Sequence, residues 1–170
     1  MYVNICFQNF TDFYDWASCV GGWQTLPSGK MICYVGQSLL LPDRTNYCSY
    51  LGGYLLELQT LEDYQAFVYY MWKLMAYSGK GNLTQIATGG ATSPGNILQW
   101  QDSKELVDYS QYGMIRPAGK TTQALQQGQI LFLRPVNYST SFTPYFSLLA
   151  QLSSDNVSEF VCMKPGKKKS

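Results

Sequence analysis

The chain of 170 residues contains no histidine, and charged side chains make up only 14% of it. Without imidazole there is no base for Ser-His-Asp or Cys-His nucleophilic schemes. The commonest zinc ligand is missing as well. None of the five cysteines forms a Cys-x-x-Cys pair, so no structural zinc and no other metal site or cofactor is expected. No apolar run approaches the ~20 residues of a membrane span. The opening Met1–Phe10 is not basic-then-apolar and carries Asn4, Gln8 and Asn9, so it does not read as a secretory leader and a mature chain is expected. A phosphate-cradling loop is absent too. Ala118-Gly-Lys120-Thr-Thr has the end of that pattern without its first glycine.

The few charges are unevenly placed. Net charge is +1, but Lys164, Lys167, Lys168 and Lys169 all lie at the extreme C-terminus. Without them the body is slightly acidic, which argues against nucleic-acid binding. Residues 164–170 read as a basic flexible tail, a solvated terminus first and an anionic-surface contact or processing site second.

Tyrosine is abundant, with 14 copies, so the surface leans on hydroxyls and aromatic edges rather than ion pairs. The cysteines are Cys6, Cys19, Cys33, Cys48 and Cys162. Four Asn-x-Ser/Thr acceptors occur, at Asn9, Asn82, Asn137 and Asn156. One such triplet is weak; four beside separated cysteines favour an oxidising, secretory origin. The expectation is a secreted, extracellular glycoprotein with disulfides, and the alternative is a cytosolic chain with five thiols.

Residues 1–18 form an aromatic-rich arm without a period. Cys19 to Val35 reads as a hairpin turning at Pro27-Ser-Gly29, and the spacing of Cys19 and Cys33 fits a bridge across it. Asp43 is a candidate N-cap for a short helix ending near Leu51, stopped by Gly52-Gly53. A strand over Tyr54–Leu58 follows. Thr60-Leu-Glu-Asp63 then resembles a capping box, and Tyr64, Phe67, Val68, Met71, Leu74 and Met75 recur at helical spacing up to Gly79. That stripe reads as core. Strands are expected at 83–88, 97–100, 129–134, 146–152 and 159–163, with a turn over 89–96 and a long irregular stretch over 101–128. The total is an α+β domain.

The order at Cys48–Leu58 and Phe160–Cys162 is cysteine, double glycine, apolar strand, acidic-capped helix, tryptophan-bearing loop and terminal Phe-x-Cys. It resembles the C-type lectin-like domain, in its long form, over residues 19–163. Leu98-Gln-Trp100 with Asp102 is similar to the family's Trp-x-Trp segment, with leucine at the first position. The resemblance implies two helices, small antiparallel sheets and a long loop region. It also implies a Cys48–Cys162 bridge and a bridge for the first hairpin, Cys19–Cys33.

Departures from the family pattern shape the functional expectation. No cysteine lies between Cys48 and Cys162, where a second loop bridge would have partners near Ile130 and Ser153 or Ser154. Cys6 is left over, and a disulfide-linked dimer through it is one expectation. Arg116-Pro117-Ala118 and Leu149-Ala150-Gln151 occupy the places of the calcium-ligand motifs, so sugar binding through calcium in the family's usual manner is not expected.

An enzyme is not expected. Asp102, Glu105 and Asp108 form one acidic cluster, read first as a solvated loop face. Binding through the long loop fits better, because tyrosine, tryptophan and arginine dominate interface hot spots. The candidate ligand-contact residues are Trp100, Asp102, Glu105, Asp108, Tyr109, Tyr112 and Arg116, each with loop packing as its competing role. The partner expected first is a protein ligand. A glycan bound at a non-standard site is the alternative, and structural or matrix assembly through Cys6 comes third.

Overall fold

The structure is a computed structural model that describes residues 19–78, 85–107, 116–117, 128–136, 143–150 and 158–166. Within them the chain forms β1 (Gln24–Thr25), β2 (Met31–Leu39), α1 (Leu41–Tyr50), β3 (Tyr54–Leu55) and α2 (Leu61–Ser78). It continues with β4 (Ile86–Ser93), β5 (Ile97–Trp100), β6 (Arg116–Pro117), β7 (Gln129–Val136), β8 (Thr143–Ala150) and β9 (Ser158–Lys164). The arm at 1–18, including Cys6 and Asn9, lies outside the described residues, as do Asn82, Asn137 and Asn156.

Period-two alternation along the long strands separates two cores. On β2, Ile32 and Tyr34 face one cluster while Cys33 and Val35 face another. On β9, Val161 and Met163 oppose Phe160 and Cys162; on β7, Leu131 and Leu133 oppose Ile130 and Phe132. The first cluster is covered by Tyr64, Phe67 and Met71 of α2, the second by Tyr47 and Cys48 of α1. The two helices therefore cover opposite faces of one sheet.

That sheet has nine strands in the order β1-β2-β9-β4-β7-β8-β6, with β3 added to β9 and β5 to β4. The α+β class stands. The expectation of small antiparallel sheets is corrected: β4 pairs in parallel with β9, and β6 with β8, so one mixed sheet results. The first hairpin closes as read, with the Leu26 N–H donating to the Lys30 carbonyl at 2.7 Å.

Several boundaries move for identifiable reasons. α1 starts ahead of Asp43, at Leu41, with Leu40 as an N-cap that makes no side-chain bond. Pro42 sits in the first turn, where its missing N–H has no intrahelical partner to lose. β3 stops at Leu55, because Leu56 leaves the ladder to bond two strands: its N–H donates to the Val161 carbonyl at 3.0 Å and its carbonyl accepts from Gly89 at 2.8 Å. The turn expected over 89–96 is confined to 94–96, and Gly89-Gly90 belong to β4. Their lack of a side chain serves close approach. A Cβ on Gly89 would stand 3.0 Å from the Leu55 carbonyl oxygen, and one on Gly90 would stand 2.8 Å from Leu131 Cβ. Lys164, read from the sequence as part of a basic tail, belongs to β9, opposite Met31, with its Nζ 4.0 Å from the centre of the Trp23 ring.

α2 opens at Thr60 as expected, the Thr60 Oγ1 accepting the Asp63 N–H at 3.2 Å. The Asp63 carboxylate does not complete the box. It turns to the first hairpin and accepts from the Ser28 N–H at 3.0 Å and from Ser28 Oγ at 2.5 Å. Both disulfides implied by the resemblance form: Cys19–Cys33 across 14 residues and Cys48–Cys162 across 114.

Candidate functional site

The long stretch after Trp100 does not begin as irregular chain. The Trp100 N–H donates to the Glu105 carbonyl at 2.9 Å, Lys104 N–H to Trp100 at 3.0 Å and Val107 N–H to Leu98 at 3.1 Å. Leu106 forms an antiparallel bridge with Gln99. Lys104 takes the left-handed conformation at φ 64°, and Gln99 Nε2 donates to its carbonyl at 3.2 Å.

This turn is fastened from below by Glu57, which is only 2% exposed. Glu57 Oε2 accepts the Asp102 N–H at 2.8 Å, and Oε1 accepts the Ser103 N–H at 3.3 Å. Burial pushes the Glu57 carboxyl up from its ordinary range, hydrogen bonds from the Asp102 N–H, the Ser103 side chain and the Ser103 N–H pull it down, and the nearby Asp102 charge adds a smaller upward push. Sequence reasoning missed Glu57. It sits between Leu56 and Leu58, which are both fully buried, so strand alternation points it to solvent. The partners that draw it inward are 45 and 46 residues away and leave no local signal.

The candidate residues separate cleanly. Trp100 is 1% exposed and belongs to the core beneath β5, packed with Leu98, Val107 and Leu131, so it offers no surface to a ligand and its place among contact residues is corrected. Asp102 and Glu105 are exposed on the turn. Asp108, Tyr109 and Tyr112 lie outside the described residues, and Arg116 is placed only by its backbone, in β6 opposite Ser147. Beside the turn, Ile97 is 46% and Leu106 65% exposed. Ile97 lies two positions from Gln99, the bridge partner of Leu106, so these side chains share one surface.

A cavity of about 400 Å³ opens between α1, β3, β4 and the start of the turn. Thr45 and Ser49 of α1, Tyr54 of β3, Glu57, Thr88, Gln101 and Asp102 supply its polar lining, and Leu41, Leu55 and Ile130 are among its apolar walls. The Tyr54 phenol is pushed up by burial, then by the charges of Glu57 and Asp102. Among the described residues no three histidine, cysteine or carboxylate side chains converge as metal ligands. No helix among them is long and apolar enough to cross a membrane.

No family model and no curated protein matches the chain in sequence. Solved structures match it in shape. SPL-1 in complex with GlcNAc superposes with a TM-score of 0.60 at 10% identity, covering 86% of this chain and 94% of that one. The Ca2+-independent C-type lectin SPL-2 from Saxidomus purpuratus gives 0.59 at 10% identity, over 88% and 96% of the two chains. Human lithostathine gives 0.58 at 19% identity, over 88% and 92%. The disulfide pairing, the helix on either face of the sheet and these superpositions agree: the chain has the fold of a C-type lectin-like domain.

Proposed function

We propose that the protein is a secreted, calcium-independent recognition module that binds a protein ligand through the start of the long loop. The observation that carries this reading is the surface around the turn at 101–105. Ile97 and Leu106 expose large aliphatic side chains next to Asp102, Lys104 and Glu105, on a turn anchored by Glu57. Aliphatic surface rimmed by charges of both signs is the make-up of a protein interface, and a rigid turn lowers the ordering cost of binding. Glu57 is the buried carboxylate nearest the loop, and it accepts the Asp102 and Ser103 N–H groups, which fixes the turn. The reading is of binding rather than catalysis.

A glycan ligand is the second reading. What favours it is that the SPL-1 structure holds GlcNAc and the murine dendritic cell inhibitory receptor 2 domain, at a TM-score of 0.57, holds an N-glycan. Secretion is supported by the two disulfides. Glycans at Asn9, Asn82, Asn137 and Asn156, and a dimer linked through Cys6, belong to the same proposal; mass measurement after deglycosylation and non-reducing electrophoresis test them.

The test is an array carrying extracellular protein domains and glycans, probed with wild type and with Leu106→Asp. Protein ligands retained by wild type and lost by Leu106→Asp are expected. Glycan-only binding, or binding indifferent to Leu106→Asp, would contradict the protein-ligand reading.

A further inference from the structure

The cavity between α1, β3 and β4 is not used by the loop surface, and its chemistry is specific. Its volume of about 400 Å³ falls in the range of small-ligand sites, and its walls have the usual make-up, apolar with a few placed polar groups. Two of those polar groups are carboxylates, Glu57 and Asp102, and none of the lining residues is lysine or arginine. Glu57 is 2% exposed, and among the described residues it has the Asp102 and Ser103 N–H groups and the Ser103 side chain as donors but no cationic partner. A buried carboxylate without a counter-charge is stabilised by a cation that reaches it. The hydrocarbon of Leu41, Leu55 and Ile130 sets the rest of the requirement, since a bare metal ion would leave those walls unused.

We propose that this cavity binds an aliphatic primary ammonium group. The cation sits at Glu57 and Asp102, and its hydrocarbon stem lies on Leu41, Leu55 and Ile130. Hydroxyls of Thr45 and Ser49 line the same space and can accept the remaining ammonium hydrogens. The same chemistry comes from a small free alkylamine or from a lysine side chain of a bound protein.

The experiment is a titration of the intact, isotope-labelled protein, followed by the amide resonances of Gly53, Gly89 and Gly90, which line the cavity. The probes are n-butylammonium chloride, a capped Gly-Lys-Gly peptide, and n-butanol as the stem without its charge. Saturable shifts with one or both cationic probes and none with n-butanol are expected. Shifts with both assign the site to lysine side chains as well as free amines, and shifts with n-butylammonium alone assign it to free amines. Asp102→Asn keeps the backbone N–H that bonds Glu57, and it is expected to raise the Kd about fivefold, the size of one lost charge pair involving an exposed carboxylate. No saturable shift with either cation, equal shifts with n-butanol, or an unchanged Kd in Asp102→Asn would overturn the proposal.

Discussion

Cys33 and Cys162 stand directly opposite each other on β2 and β9, yet each is bridged elsewhere, to Cys19 and to Cys48. Both are fully buried on the same face of the sheet. The two bridges therefore meet at one cross-strand position and hold the first hairpin, α1 and the last strand together.

That adjacency makes a sharp prediction for single cysteine removal. The Cys48–Cys162 bridge closes 114 residues, which in the chain-entropy model is worth about 4.7 kcal/mol. Cys48→Ala should lose most of that stability. It should also leave a Cys162 thiolate beside the Cys19–Cys33 bridge, able to attack the Cys33 sulfur and release Cys19 as a thiol. Peptide mapping should find some Cys33–Cys162 bridge in Cys48→Ala, whereas Cys48→Ala/Cys162→Ala should retain Cys19–Cys33. A melting temperature equal to wild type in Cys48→Ala would contradict this role for the bridge.

Gly52 and Gly53 look equivalent in sequence and are not. Gly52 has φ +82° with open space where a Cβ would be, so its constraint is conformational. Gly53 has no positive φ, but a Cβ there would collide with the Met163 carbonyl of β9. Gly52→Ala should cost about 1 kcal/mol for the left-handed backbone. Gly53→Ala should cost more, because it displaces the β3–β9 pairing at Tyr54 and Met163. Urea unfolding of the two variants checks the order, and a larger loss in Gly52→Ala would refute it.

The raised pKa of Glu57 gives a pH dependence of definite sign. The folded state binds the Glu57 proton more tightly than the unfolded chain does, because burial outweighs the hydrogen bonds from Asp102 and Ser103. This contribution is complete below the ordinary carboxyl value of about 4.5, and it is lost as pH rises through the raised value. Glu57→Gln cannot lose a proton, yet its amide oxygen can still accept at the Oε2 position, where both N–H groups converge. Denaturant unfolding across the acidic-to-neutral range should show this loss in wild type and a shallower one in Glu57→Gln. Identical slopes would remove Glu57 as the source.

The parts legible in sequence were those with local signals. The α2 stripe, Thr60 as its cap and the breaker at Gly52 depend on neighbours a few residues away. The order of cysteines, glycines and Phe160-x-Cys162 carried the fold. What stayed hidden was set by distant chain. Gly89-Gly90 read as a turn because glycine breaks strands, whereas Leu55 and Leu131 press so close that only glycine fits the strand there. Asp63 read as half of a capping box and was taken by Ser28, 35 residues earlier. At the site, exposed Asp102 and Glu105 were readable as loop charges, while Glu57, which holds the turn at Asp102 and Ser103, was concealed in an apolar strand pattern.

The most direct test of calcium-independent protein recognition is the affinity of one array-selected protein ligand, measured in EDTA and again in excess calcium. Equal affinity in the two buffers is predicted, with loss of binding in Leu106→Asp. Binding that appears only with calcium, or that a free sugar abolishes, would contradict the function proposed for this protein.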